Sequence, residues 1–369
     1  MKDKRITVLG TRGIPNVLGG VETHCQNLYP EIKDQSHSDI TIIARSPYVE
    51  YDVAEYKGIT TKSVWAPKKK SLEAIIHSTL ASFKTLFDGS QVVHVHAIGP
   101  GLVVPLLRLF GKKVVFTHHG PDYDRQKWGK AAKRVLKLGE KWAVKYASEV
   151  VVISDVINSS IKKMYNRYDA NLIYNGVLKP KELSPSVVDD AMSKFNLERK
   201  KYIVAVGRLV EEKGFHDLIE AYKQSGIEYP LVIAGDADHE TEYSQKLKTM
   251  AKDTRGVVMT GFLTGDELQA VFSQARLYAM SSYHEGLPIS LLEALSYSLP
   301  CVVSDIPANS EIGLESDIYY ETGNVEQLSE KLRQRIDILD ADYSTFLQRY
   351  DWKKIADQTI QVYKKCLTK

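Results

Sequence analysis

Short apolar runs recur along the chain, separated by stretches in which apolar residues return every three or four positions. The runs Ile6–Leu9, Ile40–Ala44, Val92–His96, Val114–Thr117 and Val150–Ile153 are rich in β-branched residues and predict strands. Glu22–Ile32 and Lys130–Ala147, between them, carry the helical period. A second series follows, with strands at Tyr202–Val206, Leu231–Ala234, Val257–Thr260, Leu277–Met280 and Cys301–Ser304. Its helices are Gly214–Gln224, Glu240–Lys252, Thr264–Gln274 and Pro288–Tyr297. Alternation of this kind predicts an α/β fold of parallel sheets covered on both faces, and it occurs twice. Asn175-Gly176-Val177 closes the first series, and Lys179–Ser186, rich in Pro, Lys and Ser, reads as a linker. The expected domains are 1–180 and 181–354, with a last helix, Trp352–Leu367, that has no strand after it.

Composition narrows the class. With 369 residues, 43% hydrophobic and 26% charged, the chain suits two or three soluble domains. Cys25, Cys301 and Cys366 are scattered, which predicts neither a disulfide framework nor a cysteine metal cage. The charged start, Met1–Arg5, runs directly into the first strand, so no signal peptide is expected. The longest apolar stretch, Gly99–Phe110, is broken by two prolines and Arg108 and is too short to span a bilayer. Together these features predict a cytoplasmic protein. Its net charge of +3 is unevenly spread: residues 1–180 hold 27 Lys and Arg against 16 Asp and Glu, and the remainder 22 against 30. The first half should face something anionic.

Four groups of residues carry candidate chemistry. Gly10-Thr11-Arg12-Gly13-Ile14-Pro15 and then Gly19-Gly20-Val21-Glu22 lead from a strand into a helix, where backbone amides suit a phosphate, although the dinucleotide spacing is absent. Tight-turn glycines are an equal reading. His94, His96, His118 and His119 stand at the carboxyl ends of two strands, where open α/β sheets bind ligands. No nearby cysteine or Glu-x-x-His pattern supplies further zinc ligands, so packing or capping is expected for most of the four and substrate contact for His119. Gly207–Gly214 places Arg208 and Lys213 between a strand and a helix, a pair suited to gripping a diphosphate. In Glu285-Gly286-Leu287-Pro288, the proline reads as a first helical residue with amides before it at the positive end. Glu293 lies within that helix, and the two carboxylates can accept bonds from sugar and ribose hydroxyls.

These motifs, in this order, resemble family 4 of the retaining glycosyltransferases, which have the GT-B fold. The likeness rests on Gly19-Gly20-Val21-Glu22, Thr117-His118-His119, Asn175-Gly176-Val177, Gly207–Gly214 and the Glu285…Glu293 string. It implies two doubly wound Rossmann-like domains facing a central cleft, the first binding acceptor and the second a nucleotide sugar. The terminal helix (about 355–369) would cross back to the first domain. It also implies roles: Arg208 and Lys213 on the donor diphosphate, Glu293 on the ribose, Glu285, Gly286, Leu287 and Pro288 around the donor sugar. Gly19 and Gly20 would approach the phosphates and His119 the reacting carbon. Within the family, the opening glycine segment is similar to a rhamnosyl-type bacterial subgroup that builds surface polysaccharides.

The resemblance further implies a lipid-linked or saccharide acceptor, a UDP-sugar in preference to GDP- or dTDP-sugars, and front-face displacement without a protein nucleophile. No Asp-x-Asp motif is present, so no metal or other cofactor is expected. Lys130, Lys133, Arg134, Lys137, Lys141 and Lys145 recur at helical spacing near Trp128 and Trp142, with Glu140 the one acid in the stretch. Such a face suits an anionic membrane surface, and without a reader motif nucleic acid is not expected. A solvated helix face is the plainer reading. Other readings of the whole chain are a GT-B nucleotide-sugar epimerase, a glycogen-synthase-like extender and a non-catalytic nucleotide-sugar scaffold. Pro47–Tyr56, Pro67–Ser71 and Ala237–Tyr243 are read as substrate-selecting loops.

Overall fold

The computed structural model describes residues 4–17, 19–67, 73–124, 129–237, 240–339 and 341–368. The chain divides into two compact units, Met1–Gly176 with Arg349–Lys369, and Val177–Gln348. The first break, after Gly176, falls within a few residues of the expected 180. A Cβ on Gly176 would lie 2.3 Å from the Trp352 ring, which fastens the start of the last helix to this point.

The first unit opens with β1 (Arg5–Leu9), α1 (Gly20–Ser36), β2 (Asp39–Arg45), β3 (Val53–Tyr56) and β4 (Ile59–Val64). It continues with α2 (Glu73–Lys84), β5 (Val92–His96), α3 (Val104–Leu109), β6 (Lys113–His118), α4 (Lys130–Tyr146), β7 (Glu149–Val152), α5 (Asp155–Tyr165) and β8 (Asn171–Leu172). The sheet order is β3-β4-β2-β1-β5-β6-β7-β8, parallel except for the edge strand β3. Pro47–Tyr56 is therefore not simply a loop. Its end is that edge strand, missed because alternate residues face solvent and leave no apolar run.

The second unit contains α6 (Pro185–Lys194), β9 (Ile203–Val206), α7 (Phe215–Ser225), β10 (Leu231–Ala234), α8 (Glu242–Asp253), β11 (Val257–Gly261) and α9 (Gly265–Ser273). Then come β12 (Leu277–Met280), α10 (Ile289–Ser296), β13 (Cys301–Ser304), α11 (Pro307–Ser310), β14 (Tyr319–Tyr320), α12 (Val325–Arg335) and α13 (Ser344–Leu347). Its parallel sheet runs β11-β10-β9-β12-β13-β14. The chain then returns to the first unit as α14 (Trp352–Thr368).

Central strands are buried on both faces, which is why they read as unbroken apolar runs. The first core joins Leu28, Tyr29 and Ile32 of α1 to Ile355, Ile360 and Tyr363 of α14. Burying each such side chain contributes about 1.5–3 kcal/mol, so α14 is part of the first fold although it is last in sequence. In the second unit, Phe215, Leu218 and Ile219 of α7 pack with Leu328 and Leu332 of α12 over the sheet.

Candidate functional site

In the second unit, β9 ends at Val206 and a short 3-10 turn, Glu211–Lys213, precedes α7. Gly214 joins turn to helix at φ +61°, and a Cβ there would lie 2.1 Å from the Ser281 carbonyl oxygen. Glycine thus lets the loop after β9 close onto the loop after β12. Two bonds fix that closure: the Ser281 hydroxyl donates to Lys213 O (2.9 Å), and the Tyr283 amide to Glu212 O (2.8 Å). The Tyr283 hydroxyl also donates to Asp217.

The closure brings the two sequence groups together. Lys213 Nζ donates to Glu285 Oε1 at 2.6 Å, and the Ser282 hydroxyl donates to the same oxygen at 2.7 Å. Arg208 stands half-buried in the same β9 loop. Pro288, expected as a first helical residue, instead flanks the helix with ψ 84°, and α10 begins at Ile289. Leu287 and Pro288 are buried and Gly286 is half-buried. Glu293 lies one turn into α10, where burial pushes its carboxyl up to about 7. A cavity of about 390 Å³ meets the loop after β9 at Leu209 and runs along β10, β11 and α8, with Gly235, Asp236, Lys248, Met259 and Gly261 in its lining.

The first unit holds the histidines. His94 and His96 are buried on β5 with rings stacked 4.2 Å apart. The His94 ring lies 2.7 Å from Thr117 Oγ1 through Nε2 and 2.7 Å from the Tyr363 hydroxyl through Nδ1. The Tyr29 hydroxyl reaches His94 Nδ1 (3.0 Å) and His96 Nε2 (2.6 Å). His118 is also buried: its Nδ1 accepts from the Gly120 amide (3.0 Å), so its Nε2 donates to Glu140 (2.7 Å). Despite burial, that bond and those from Tyr165 and Tyr123 hold the Glu140 carboxyl below its ordinary value. His119, just beyond β6, is only half-buried, and its Nε2 meets His96 Nδ1 at 2.8 Å.

Spacing alone showed no third imidazole beside His96 and His119, and here the structure corrects the reading. His24, from the second turn of α1, places its ring 4.9 Å from that of His119 and 5.5 Å from that of His96. Only the fold brings residue 24 beside residues 96 and 119. The one local signal was its place two residues after Glu22. Glu22 itself ties the two glycine turns together: its carboxylate accepts from the Arg12 amide at 2.8 Å. Gly19 flanks α1 and Gly20 begins it, so their amides stand at the helix's positive end.

Lys130, Arg134, Lys137, Lys141 and Lys145 of α4 are exposed and Lys133 is half-buried. Glu140 sits on the opposite, buried face with Gly139, Ala143 and Val144. A second feature adjoins the cationic face. Val135, Leu138 and Tyr146 are each more than a third exposed, forming an apolar strip beside the cations. Trp128, residues 68–71 of the expected Pro67–Ser71 loop, and residues 238 and 239 of Ala237–Tyr243 lie outside the described residues. Among the described residues no helix is long and apolar enough to cross a membrane.

Comparison with known proteins gives the family. The model described as Glycosyltransferase Family 4 matches residues 18–177, and that described as Glycosyl transferases group 1 matches residues 188–344. The chain belongs to the family 4 glycosyltransferases, with the GT-B fold of two Rossmann-like α/β domains. It is 22% identical to the Escherichia coli O-antigen chain mannosyltransferase B over 59% of this chain and 61% of that enzyme. It is 25% identical to an uncharacterized glycosyltransferase of Methanocaldococcus jannaschii over 95% of both chains. A putative teichuronic acid biosynthesis glycosyltransferase of Bacillus subtilis is 23% identical over 82% of this chain and 76% of that one. Among solved structures, Anabaena HepE in complex with UDP and glucose matches with a TM-score of 0.78 at 16% identity, covering 98% of this chain and 99% of that one.

Proposed function

We propose that this protein is a retaining glycosyltransferase that moves a hexosyl group from a nucleotide diphosphate sugar to a hydroxyl of a lipid-linked or saccharide acceptor, in the synthesis of a bacterial cell-surface glycan. The observation that carries the reading is the Lys213–Glu285 pair, fixed by the two loop bonds described above, with Arg208 in the same loop after β9. A cation ready for phosphate and a carboxylate ready for sugar hydroxyls stand side by side. The amides around Gly286 and Leu287 and the Glu293 carboxyl complete the donor set, Glu293 toward the ribose. UDP is the preferred carrier, and the cavity beside Leu209 and Asp236 suits a nucleoside extending from the diphosphate. HepE, solved with UDP and with UDP-glucose, supports that choice.

In the reaction, the bond from the anomeric carbon to the β-phosphate oxygen breaks. A bond from the acceptor oxygen forms on the same face, and the acceptor proton passes to the leaving diphosphate. Arg208 and Lys213 stabilise the charge that accumulates there, so turnover needs no metal ion. The first unit serves the acceptor and contributes His119 and the Gly19-Gly20 amides. Its basic helix α4, with the adjoining Val135–Leu138–Tyr146 strip, supports contact with the anionic inner face of the cell membrane. The O-antigen and teichuronic acid relatives support a surface-glycan role.

The test is a hydrolysis and transfer screen of UDP-, GDP- and dTDP-sugars in the presence of EDTA. Turnover of one donor, unchanged by EDTA, is expected. Activity that EDTA abolishes and Mg²⁺ restores would overturn the metal-free reading, and acceptor-independent isomerisation of the donor would favour an epimerase.

A further inference from the structure

The histidines of the first unit form more than a packed network. One ring nitrogen from each of His24, His96 and His119 lies within 4.8 Å of those of the other two. His24 and His96 are almost wholly buried, while His119 opens to the outside. We propose that these three imidazoles are a binding site for a single transition-metal ion of the zinc class, with one coordination position left open.

The hydrogen bonds around the cluster already orient the rings for this. His24 Nδ1 lies 2.6 Å from Asn175 Oδ1, an acceptor, so it carries the proton and leaves the lone pair on Nε2. That Nε2 is buried and has no hydrogen-bond partner among the described residues. A buried ring nitrogen with an unused lone pair is costly unless something occupies it. On His96, the Tyr29 hydroxyl can accept from Nε2 while donating to His94 Nδ1, which turns the Nδ1 lone pair toward His119. Asn175 and Tyr29 thus stand where the outer partners of metal-bound histidines stand.

Neutral imidazole is the ligating form of histidine, and the Asn175 and Tyr29 contacts hold the His24 and His96 rings in tautomers that leave a lone pair toward the cluster. Three histidines with an open fourth position are a known zinc arrangement, with Zn–N bonds near 2.0–2.1 Å. Tetrahedral ligands at that distance lie about 3.3 Å apart. The His96 Nδ1–His119 Nε2 contact of 2.8 Å would therefore open slightly as His24 closes in. None of the three ligands is a carboxylate, so the ion keeps its charge in a buried place and the site should draw an anion or hydroxide to its open position. The proposal shares His119 with the acceptor side of the reading above, but its test reads metal binding rather than turnover, so the two can fail separately.

The experiment uses the full chain stripped of metal and titrated with ZnCl₂ and with CoCl₂. One equivalent should bind, with a visible cobalt spectrum of the intense, tetrahedral kind, and zinc should raise the melting temperature. His24→Gln and His119→Gln should each weaken binding at least tenfold and abolish both the spectrum and the thermal shift. His119 is half-buried, so its variant keeps the test decisive if the buried His24 variant does not fold. Absence of a one-equivalent site, a weak octahedral cobalt spectrum, or binding unchanged in His119→Gln would overturn the proposal.

Discussion

Lys213 Nζ and Glu285 Oε1 lie 2.6 Å apart, with both side chains mostly out of solvent. The pair joins a loop after one strand to a loop after another, and it balances two charges that a bound donor would use separately. Lys213→Ala is therefore expected to weaken UDP binding at least tenfold and lower kcat/KM by roughly 10²–10³. Glu285→Gln releases the lysine, so UDP affinity should stay within about threefold while turnover falls by a similar 10²–10³. Calorimetric titration and initial rates separate the two. Equal loss of UDP binding in both variants would end this division of roles.

Glu293 makes a pH prediction. Desolvation raises its carboxyl from 4.5 to about 7, so between those values the folded protein binds a proton that the unfolded chain has released. Stability consequently falls as pH rises from about 4.5 to about 7, by roughly 3 kcal/mol in all. Glu293→Gln should be more stable than wild type at pH 8 and little different near pH 4, read by denaturant melts. If ribose hydroxyls donate to this carboxylate, UDP affinity in the wild type should also rise through pH 7, and the variant should lose that rise. Superimposable melts at pH 8 would show that Glu293 pays no desolvation cost.

Gly214 and Gly226 both have positive φ, +61° and +66°, but only Gly214 is crowded. Gly226→Ala should cost about 1 kcal/mol from the backbone alone. Gly214→Ala meets the Ser281 carbonyl as well, so a loss above about 2 kcal/mol and parallel loss of UDP binding are expected. Urea unfolding of the two variants checks the contrast, which similar losses would remove.

Replacing Lys130, Arg134, Lys137 and Lys141 together with Gln removes four exposed charges from α4. Each contributes about 1 kcal/mol at an anionic surface, so partitioning onto phosphatidylglycerol vesicles should fall by 10²-fold or more. Leu138→Ser should weaken it further without changing its salt dependence. Co-sedimentation indifferent to lipid charge in the wild type would rule out the membrane role.

Where a strand is buried on both faces the sequence announces it, as Val92–His96, Leu231–Ala234 and Cys301–Ser304 do. Val53–Tyr56 and Ile59–Val64 were not legible, because an edge hairpin alternates polar with apolar residues. In the second unit the candidate site was visible in the sequence for a related reason. Arg208, Lys213, Glu285 and Glu293 sit in compact motifs at strand ends, although the bond between Lys213 and Glu285 appears only when β9 and β12 become neighbours. His24 was invisible for the opposite reason: its chemistry depends on a helix and two strands far apart in sequence. The apolar strip on α4 was also hidden, since Val135, Leu138 and Tyr146 are interleaved in sequence with more numerous cations.

The most direct measurement of the donor-site claim is calorimetric titration of UDP into the wild type, Arg208→Ala and Lys213→Ala, each verified as folded by circular dichroism. Saturable one-to-one binding by the wild type, weakened at least tenfold in each variant, is the expected result. Wild-type binding that both variants retain unchanged, or no binding of UDP, GDP or dTDP by the wild type, would contradict it.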